Sequence, residues 1–444
     1  MATTKTTTGQ GPVAGEAAAT SLWRHRDFVR LWAAQTVSLF GSQVTTLALP
    51  LTAALTLKAT PAQMGVLGAA QFAPFLLIGL VAGVWVDRRR RRPVMIAADV
   101  GRAVLLALIP TLALLNVLRI EQVYVIAFLA GALTLFFDVA YTSYLPSLVA
   151  RDRLSEGNAK LEGSAAVAEL AGPGVGGVLA QILSPPLALV VDAVSFVFSA
   201  LSLRTIRVAE PEPVPHARDE GVWRDIGQGL RVLLGNRLTR ATVSAAATLV
   251  LCSSIGSSVY VLYLIRVLHL PPALVGLVYL ASGLGSFPGA ILCGKVTRRL
   301  GVGRAIVVAV FAMSGARLLI LAASGPVVVA LAILMVAEAF GGFAAIIWDI
   351  NQLSLRQGLT PQYLLGRMNA SFRFIVWGMM PLGALLGGVL GAQIGLSAAL
   401  AVSVVGGLLA PLWVLFSPVR QLREQPVVAA LVTQPNEVFT ATRR

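Results

Sequence analysis

The chain has 444 residues, of which 57% are hydrophobic and only 12% charged, and its mean hydropathy is +0.80. Soluble globular domains are roughly half apolar and a quarter charged, so this balance excludes a soluble fold and defines an integral membrane protein. A net charge of +15 would suggest nucleic acid in a soluble chain, but here the arginines separate apolar stretches of about twenty residues, each long enough to cross a bilayer core of about 30 Å, which argues against a nucleic-acid partner.

Residues 1–27 form a polar tail rich in Gly, Ala and Thr, with no basic start leading into an apolar run, and read as disordered cytoplasmic chain and not as a cleaved signal. Apolar stretches follow at 31–55, 62–86, 94–117, 121–144, 160–183 and 187–206, making a first half over 28–206. Residues 207–240, rich in prolines, acids and arginines, read as a cytoplasmic linker with a short amphipathic helix over 222–234 that puts Val222, Ile226, Leu230 and Leu233 on one face. Six further stretches, at 240–265, 272–294, 304–323, 326–349, 367–391 and 395–416, make a second half over 241–416, and 417–444 is a C-terminal tail. The expected fold is therefore all-α, with twelve transmembrane helices in two six-helix halves. Both cysteines, Cys252 and Cys293, lie inside apolar stretches and offer neither a disulfide framework nor a metal site.

The arginines give the orientation. With the N-terminus inside, thirty of the 35 Lys/Arg fall on the cytoplasmic side, only Lys58, Arg119 and Arg266 on the outer side, and Arg102 and Arg317 within spans. This bias places both termini in the cytoplasm and agrees with an even number of spans. A shift of 211 residues superposes Gly65 on Gly276, Gly131 on Gly342, Asp138 on Asp349, Asn158 on Asn369, and GGVL at 176–179 on GGVL at 387–390. Two parallel six-span repeats are an arrangement of transporters that hold substrate near the midplane between halves.

Specific stretches add to this reading. GLVAGVWVDRRRRRPV, from span 2 into the next loop, resembles the loop motif of the major facilitator superfamily, with Gly83, Asp87 and Arg88 at its strongest positions and arginine where a glycine is usual in the basic run. Span 1, the stretch YLPSLVARDRLSEGNAKLEGSAAVAELAGPGVGGVL and SLRQGLTPQYLLGRMNASFRF are similar to the branch holding macrolide-type drug exporters and siderophore exporters, and the likeness covers about residues 22–416. The resemblance implies that Asp87, with Arg88, contacts the opposite half and holds an inner gate shut in the outward-facing state. Most of the five arginines read as topology anchors on anionic head groups. Asp99 and Arg102, three apart on one helix face, can pair with each other or join that cluster. Asp138 and Asp349, related by the repeat, read as gate or helix-end residues.

Span 5 carries Gly172, Pro173, Gly176 and Gly177, and span 11 carries Gly387 and Gly388. Such small residues let helices approach closely, and Pro173 removes one backbone donor. The span 5 run also resembles a glycine and proline motif of drug antiporters, with Ala159 and Ala168 in place of its earlier glycines, so packing and antiport readings both stand. An acid among apolar groups is costly to keep charged and can take a proton on one side and release it on the other. Glu169 is the first candidate for that role, then Glu338 and Asp192. Spans 1, 4, 7 and 10, which line the cavity in the superfamily, offer Gln35, Thr45, Phe136, Tyr141, Tyr260, Tyr263, Phe340, Phe343 and Trp348, a set that suits an amphipathic organic molecule better than a small anion.

The three histidines, His25, His216 and His269, lie in tails or loops, and the chain has no His-Glu-x-x-His, no Gly-x-Ser-x-Gly and no phosphate loop, so neither an enzyme nor direct ATP coupling is expected. No cofactor or metal is expected, the proton gradient being the energy source. The expectation is a monomeric secondary transporter of the cell membrane, in contact with lipids, that exports an amphipathic small molecule by proton antiport. A lipid or lysolipid flippase and a solute importer stay open on the same fold, and a receptor or scaffold is the remote alternative.

Overall fold

The computed structural model describes residues 21–150, 153–208, 210 and 222–424, without the side chains of Leu80, Val81, Val84, Asp87 and 222–226. Among these residues eleven helices are long and apolar enough to cross a bilayer: α1 Arg26–Thr56, α3 Arg91–Leu114, α4 Ile120–Leu148, α5 Leu154–Leu183, α6 Pro185–Arg204, α7 Arg237–Arg266, α8 Pro272–Leu300, α9 Val302–Leu321, α10 Val327–Gly358, α11 Gln362–Gln393 and α12 Leu396–Leu415. The twelfth, α2, is built from Pro61–Leu77 and Gly79–Asp87, which meet at Ile78 with φ −121° and ψ −4°. Pro74 and Gly79 flank that break, one lacking an amide donor and the other lacking a side chain to hold the helix. Helix is the economical answer to an apolar solvent, because it satisfies every backbone donor and acceptor within its own segment.

In the first half α1 packs on α5 and α6, α3 on α4 and α6, and α2 on α4. In the second, α7 packs on α11 and α12, and α10 on α8 and α9. The halves meet along two seams, α2 against α11 and α5 against α8. Small residues set the spacing there: a Cβ on Gly65 would lie 2.7 Å from Gly388 Cα, and one on Gly276 would lie 2.9 Å from Gly177 Cα. At the 211-residue offset Gly65 becomes Gly276 and Gly177 becomes Gly388, so one contact is made twice about a pseudo-twofold axis. The offset also governs packing inside each half. Gly172 and Gly176 meet Gln43 and Val44, while their counterparts Gly383 and Gly387 meet Ser254 and Ile255.

The start of α1, the linker and the segment after α12 share one face, here the linker face; the opposite face is the distal face. Near the distal ends the halves are bonded together: Arg266 donates to the Ala59 carbonyl at 2.7 Å, and the Ala273 amide donates to Gln181 Oε1 at 3.0 Å. Toward the linker face the same four helices part. A Cβ on Gly79, Gly83, Gly163, Gly294 or Gly366 would meet nothing within 4 Å among the described residues. The molecule is closed distally and open to the linker face.

The segments between and beyond the helices are tied to one half or the other. Order begins ahead of the expected boundary at residue 28: Leu22 is buried, and His25 Nδ1 accepts from the Phe28 amide at 3.1 Å to start α1 at Arg26. The disordered tails expected at the two ends fall largely on 1–20 and 425–444, outside the described residues. Of the expected linker, Arg207 and Val208 donate their amides to Asp27, both at 3.3 Å, and Glu210 accepts from the amides of Arg91 at 2.7 Å and Arg92 at 3.2 Å, so this stretch is fastened to the first half. A helix over Val222–Gly235, one residue longer than expected, belongs to the second half: Gly229 lies against the Arg367 backbone and Leu233 packs with Val243 and Met368.

A side chain at the distal seam should wedge the halves apart. Gly276→Val should penalise the distal-closed state by about 1–3 kcal/mol, the usual cost of overpacking, and electron-spin distances between labels at Val117 and Ser324 should lengthen; an unchanged distribution would remove the glycine contact as the determinant of closure.

Candidate functional site

The open space between the halves is lined on one side by α5, whose faces can be told apart at about 100° per residue. Gly172 and Gly176 touch α1, Leu170, Gly174 and Gly177 touch α8, and Val167, Val175, Val178 and Ile182 are exposed on the opposite side. Glu162 and Glu169, two turns apart, fall in the sector between the two helix contacts and so look into the space between the halves. Both are exposed there, close enough to interact, and Glu169 has no hydrogen bond or ion pair among the described residues. Tyr141 of α4 lies within the electrostatic reach of Glu162 and Asp138, and stacks on Phe137 at 6.1 Å.

Further along the wall a cavity of about 350 Å³ lies between the halves, with Asp138 of α4 and Arg373 of α11 in its lining. Its neighbour, of about 260 Å³, is set into the second half and lined by Arg317, Trp348, Asp349 and Gln352 among others. Trp377 lines both, so the two chambers adjoin at its ring. Gln352 Oε1 is buried without a hydrogen-bond partner among the described residues, as is Gln35 Oε1 in the first half. Asp138 and Asp349, counterparts in the repeat, thus both face open space, but among the described residues Asp138 lies within reach of Arg102 and Arg373 and Asp349 within reach of Arg356.

Other expected cavity residues are engaged elsewhere. Thr45 donates to Asp192 Oδ2 at 2.5 Å, and Ser195 to Asp192 Oδ1 at 3.0 Å, which leaves that acid 1% exposed within the first half. Tyr260 donates to Glu338 Oε1 at 2.9 Å, with Tyr279 edge-on to it at 5.9 Å, so this tyrosine and this acid are partners within the second half. Tyr263 is buried near the distal end and donates to the Ala323 carbonyl at 3.4 Å. Phe136 packs edge-on against Trp85 at 5.3 Å, and the half-exposed Phe340 stacks on Phe343 at 6.5 Å.

Asp99 and Arg102 pair directly and do not join the loop cluster. The Arg102 guanidinium lies 4.5 Å from the Phe137 ring centre and 4.1 Å from that of Phe196, a cation held between two aromatic faces, paired with the Asp99 carboxylate and within the electrostatic reach of Asp138 and Asp192. Of the gate motif, Asp87 ends α2 with its side chain outside the described residues, Gly83 has open space where a Cβ would stand, and Arg88 is exposed. The run behind them has partners of its own: Arg91 pairs with Glu210 at 3.4 Å, and Arg92 donates to the Leu203 and Arg204 carbonyls at 2.9 and 2.5 Å, closing the end of α6. Sequence reading missed Glu162, Arg373 and Tyr279. The two-turn spacing from Glu169 could have found the first; the other two reach their partners only through tertiary contacts.

A family model described as Major Facilitator Superfamily matches residues 31–381. The chain belongs to that superfamily. It is 28% identical over 334 residues to the multidrug efflux pump Tap of Mycolicibacterium fortuitum, covering 73% of this chain and 80% of Tap. Macrolide efflux protein A of Streptococcus pyogenes is 24% identical over 211 residues, 47% of this chain and about half, 52%, of that protein's length. Among solved structures, a bacterial homologue of the iron transporter ferroportin in its inward-facing state superposes with a TM-score of 0.72 at 16% identity, over 89% of this chain and 99% of that one. The nucleoside transporter NupG gives 0.67 at 11% identity, over 88% and 98%. These structures share the fold of the superfamily with this chain.

Asp99→Ala would leave the buried Arg102 cation without its ion-pair partner, and losing one partner of a buried pair costs about 3–5 kcal/mol. Denaturation in detergent should show that loss, and Asp99→Ala combined with Arg102→Leu should restore most of it; a double variant as unstable as the single one would mean that the pair is not the source.

Proposed function

We propose that this chain is a monomeric, proton-coupled exporter of a cationic amphipathic small molecule, working by alternating access. The arginine bias assigns the linker face to the cytoplasm, so the described state is inward-open. The observation that carries the reading is a space open on one face only, whose walls present Glu162, Glu169, Asp138 and Asp349 beside Tyr141 and Trp377. An excess of carboxylates over arginines favours a cation, and the rings supply the apolar and π contacts that an organic cation needs. The likeness to Tap and to macrolide efflux protein A, both efflux pumps by name, supports export over import.

Glu169 is the acid best placed for coupling, since Glu338 and Asp192 already have hydroxyl partners. A proton and a cationic substrate would compete for this carboxylate. Protonated from outside, the carrier returns inward; releasing the proton to the cytoplasm, it takes the substrate in its place, and such mutually exclusive occupancy is what exchange requires. The distal glycine seams would then be one of the two gates, and the proton gradient the only energy source.

Liposomes holding the purified protein, with an imposed pH gradient, should move a lipophilic cationic dye or a macrolide against its gradient and stop with an uncoupler. Glu169→Gln, a neutral mimic of the protonated acid, should abolish gradient-driven transport, weaken binding of the cationic dye measured by fluorescence about tenfold, or about 1.4 kcal/mol, and remove the pH dependence of that binding. Transport that ignores the gradient would remove the antiport mechanism, full coupling in the variant would move the proton to Glu338 or Asp192, and lipid scrambling without dye transport would favour a flippase.

A further inference from the structure

At the linker face of the second half, the chain after α12 turns back and is fastened to the start of α9. The Gly303 amide donates to the Leu422 carbonyl at 2.9 Å and the Val302 amide to that of Arg423 at 3.3 Å, while Val419 is fully buried. Gly301, at φ +81°, makes the turn, and a Cβ on Gly303 would overlap the Val419 carbonyl, so the fit depends on bare backbone. This fold-back completes a cavity of about 1160 Å³ whose lining includes Arg298, Arg299, Arg304, Arg420 and Arg423, with Glu424 as its one acid.

None of the five arginines has an ion pair, side-chain hydrogen bond or ring contact among the described residues. The contrast with the first half is direct, because there Arg91 has Glu210, Arg92 has the end of α6, and Arg89 lies 4.9 Å from the Trp85 ring centre. Five cations gathered by a specific backbone fold, against mutual repulsion, are a receptor for a multiply bonded anion, and guanidinium forks match phosphate oxygens. The rest of the wall says which phosphate. Leu300, Val307, Val308 and Leu415 line the same cavity, and Leu300 and Val308 are 39% and 51% exposed, so an apolar flank runs from the arginines into the bilayer. We infer that this cavity, formed by the α8–α9 turn and the folded-back segment 418–424, binds the phosphate head group of an anionic phospholipid, with an acyl chain against α9 and α12.

The full-length protein, delipidated in a mild detergent, should be offered dioleoyl phosphatidylglycerol or dioleoyl phosphatidylcholine, and adducts counted by native mass spectrometry. Phosphatidylglycerol should be retained preferentially. Arg304→Gln with Arg423→Gln should lower that retention about tenfold or more, as expected for losing two surface cations, while Arg89→Gln leaves it unchanged. Equal retention of the two lipids overturns the proposal, and so does inorganic phosphate that binds alone and displaces phosphatidylglycerol at equal concentration, since it would mark a site for a free anion. On the unmodified protein, a photoreactive phosphatidylglycerol should label peptides within 297–308 or 415–424; labelling confined to other regions overturns it whatever the variants do.

Discussion

Two helices can approach no closer than their bulkiest facing residues allow, and at both seams between the halves the limit is backbone itself. Gly65 on Gly388 and Gly177 on Gly276 bring the halves to near-touching main chains at the distal face. In lipid no hydrophobic drive pulls helices together, so dispersion across such intimate contacts is a main source of cohesion, and it vanishes steeply with separation. A seam of this kind is either shut or open, with little in between. The cavity exists because the seam is shut at one end only, and the exposure of Glu162, Glu169 and Asp138 follows from the parting of the same helices further down.

The two halves share this packing plan and differ in where they hold charge. The first half buries a cation and its acid, Arg102 and Asp99, between two phenylalanines, and seats Asp192 on the hydroxyls of Thr45 and Ser195. At the repeat positions the second half has Met313 for Arg102, Val310 for Asp99 and Ser403 for Asp192. Its own acid, Glu338, accepts from Tyr260 and lies within the electrostatic reach of Arg317. Backbone geometry was kept through duplication while the polar interior diverged, so movement can be nearly symmetric and the chemistry of coupling need not be.

Much of the architecture was legible because bilayer thickness converts directly into run length. Apolar stretches of about twenty residues became helices, and the Gly65, Gly276 and GGVL matches in the repeat turned out to be the surfaces on which the halves touch. The break at Ile78 was not legible, since the surrounding sequence is as apolar as any other span and only the concurrence of Pro74 and Gly79 marks it. Partnerships were less legible than placement. Thr45, Tyr260 and Tyr263 sit in the expected helices, yet the first two spend their hydroxyls on a neighbouring helix and Tyr263 spends its on the α9–α10 connection, and no period in a single chain specifies which rotation about the helix axis packing will select. Asp99 and Arg102 could be paired in advance because the helical repeat alone brings residues three apart together.

The five-arginine run after α2 shows why charge patterning gives direction more readily than role. Counted as cations, Arg88 to Arg92 and the arginines of the α8–α9 turn are alike, and both sets enter the same arginine bias toward the linker face. The difference comes from acids and carbonyls far away in sequence. Glu210, 119 residues on, caps α3 through the Arg91 and Arg92 amides, and the same two arginines bind Glu210 and the end of α6. That set of charges has been absorbed into the protein as a clamp that joins the linker to the first half. The second set, left without such partners, keeps its charge available to whatever lies alongside, and beside a membrane of anionic lipid that is a phosphate. One topological signal, duplicated with the fold, has thereby been put to two structural uses.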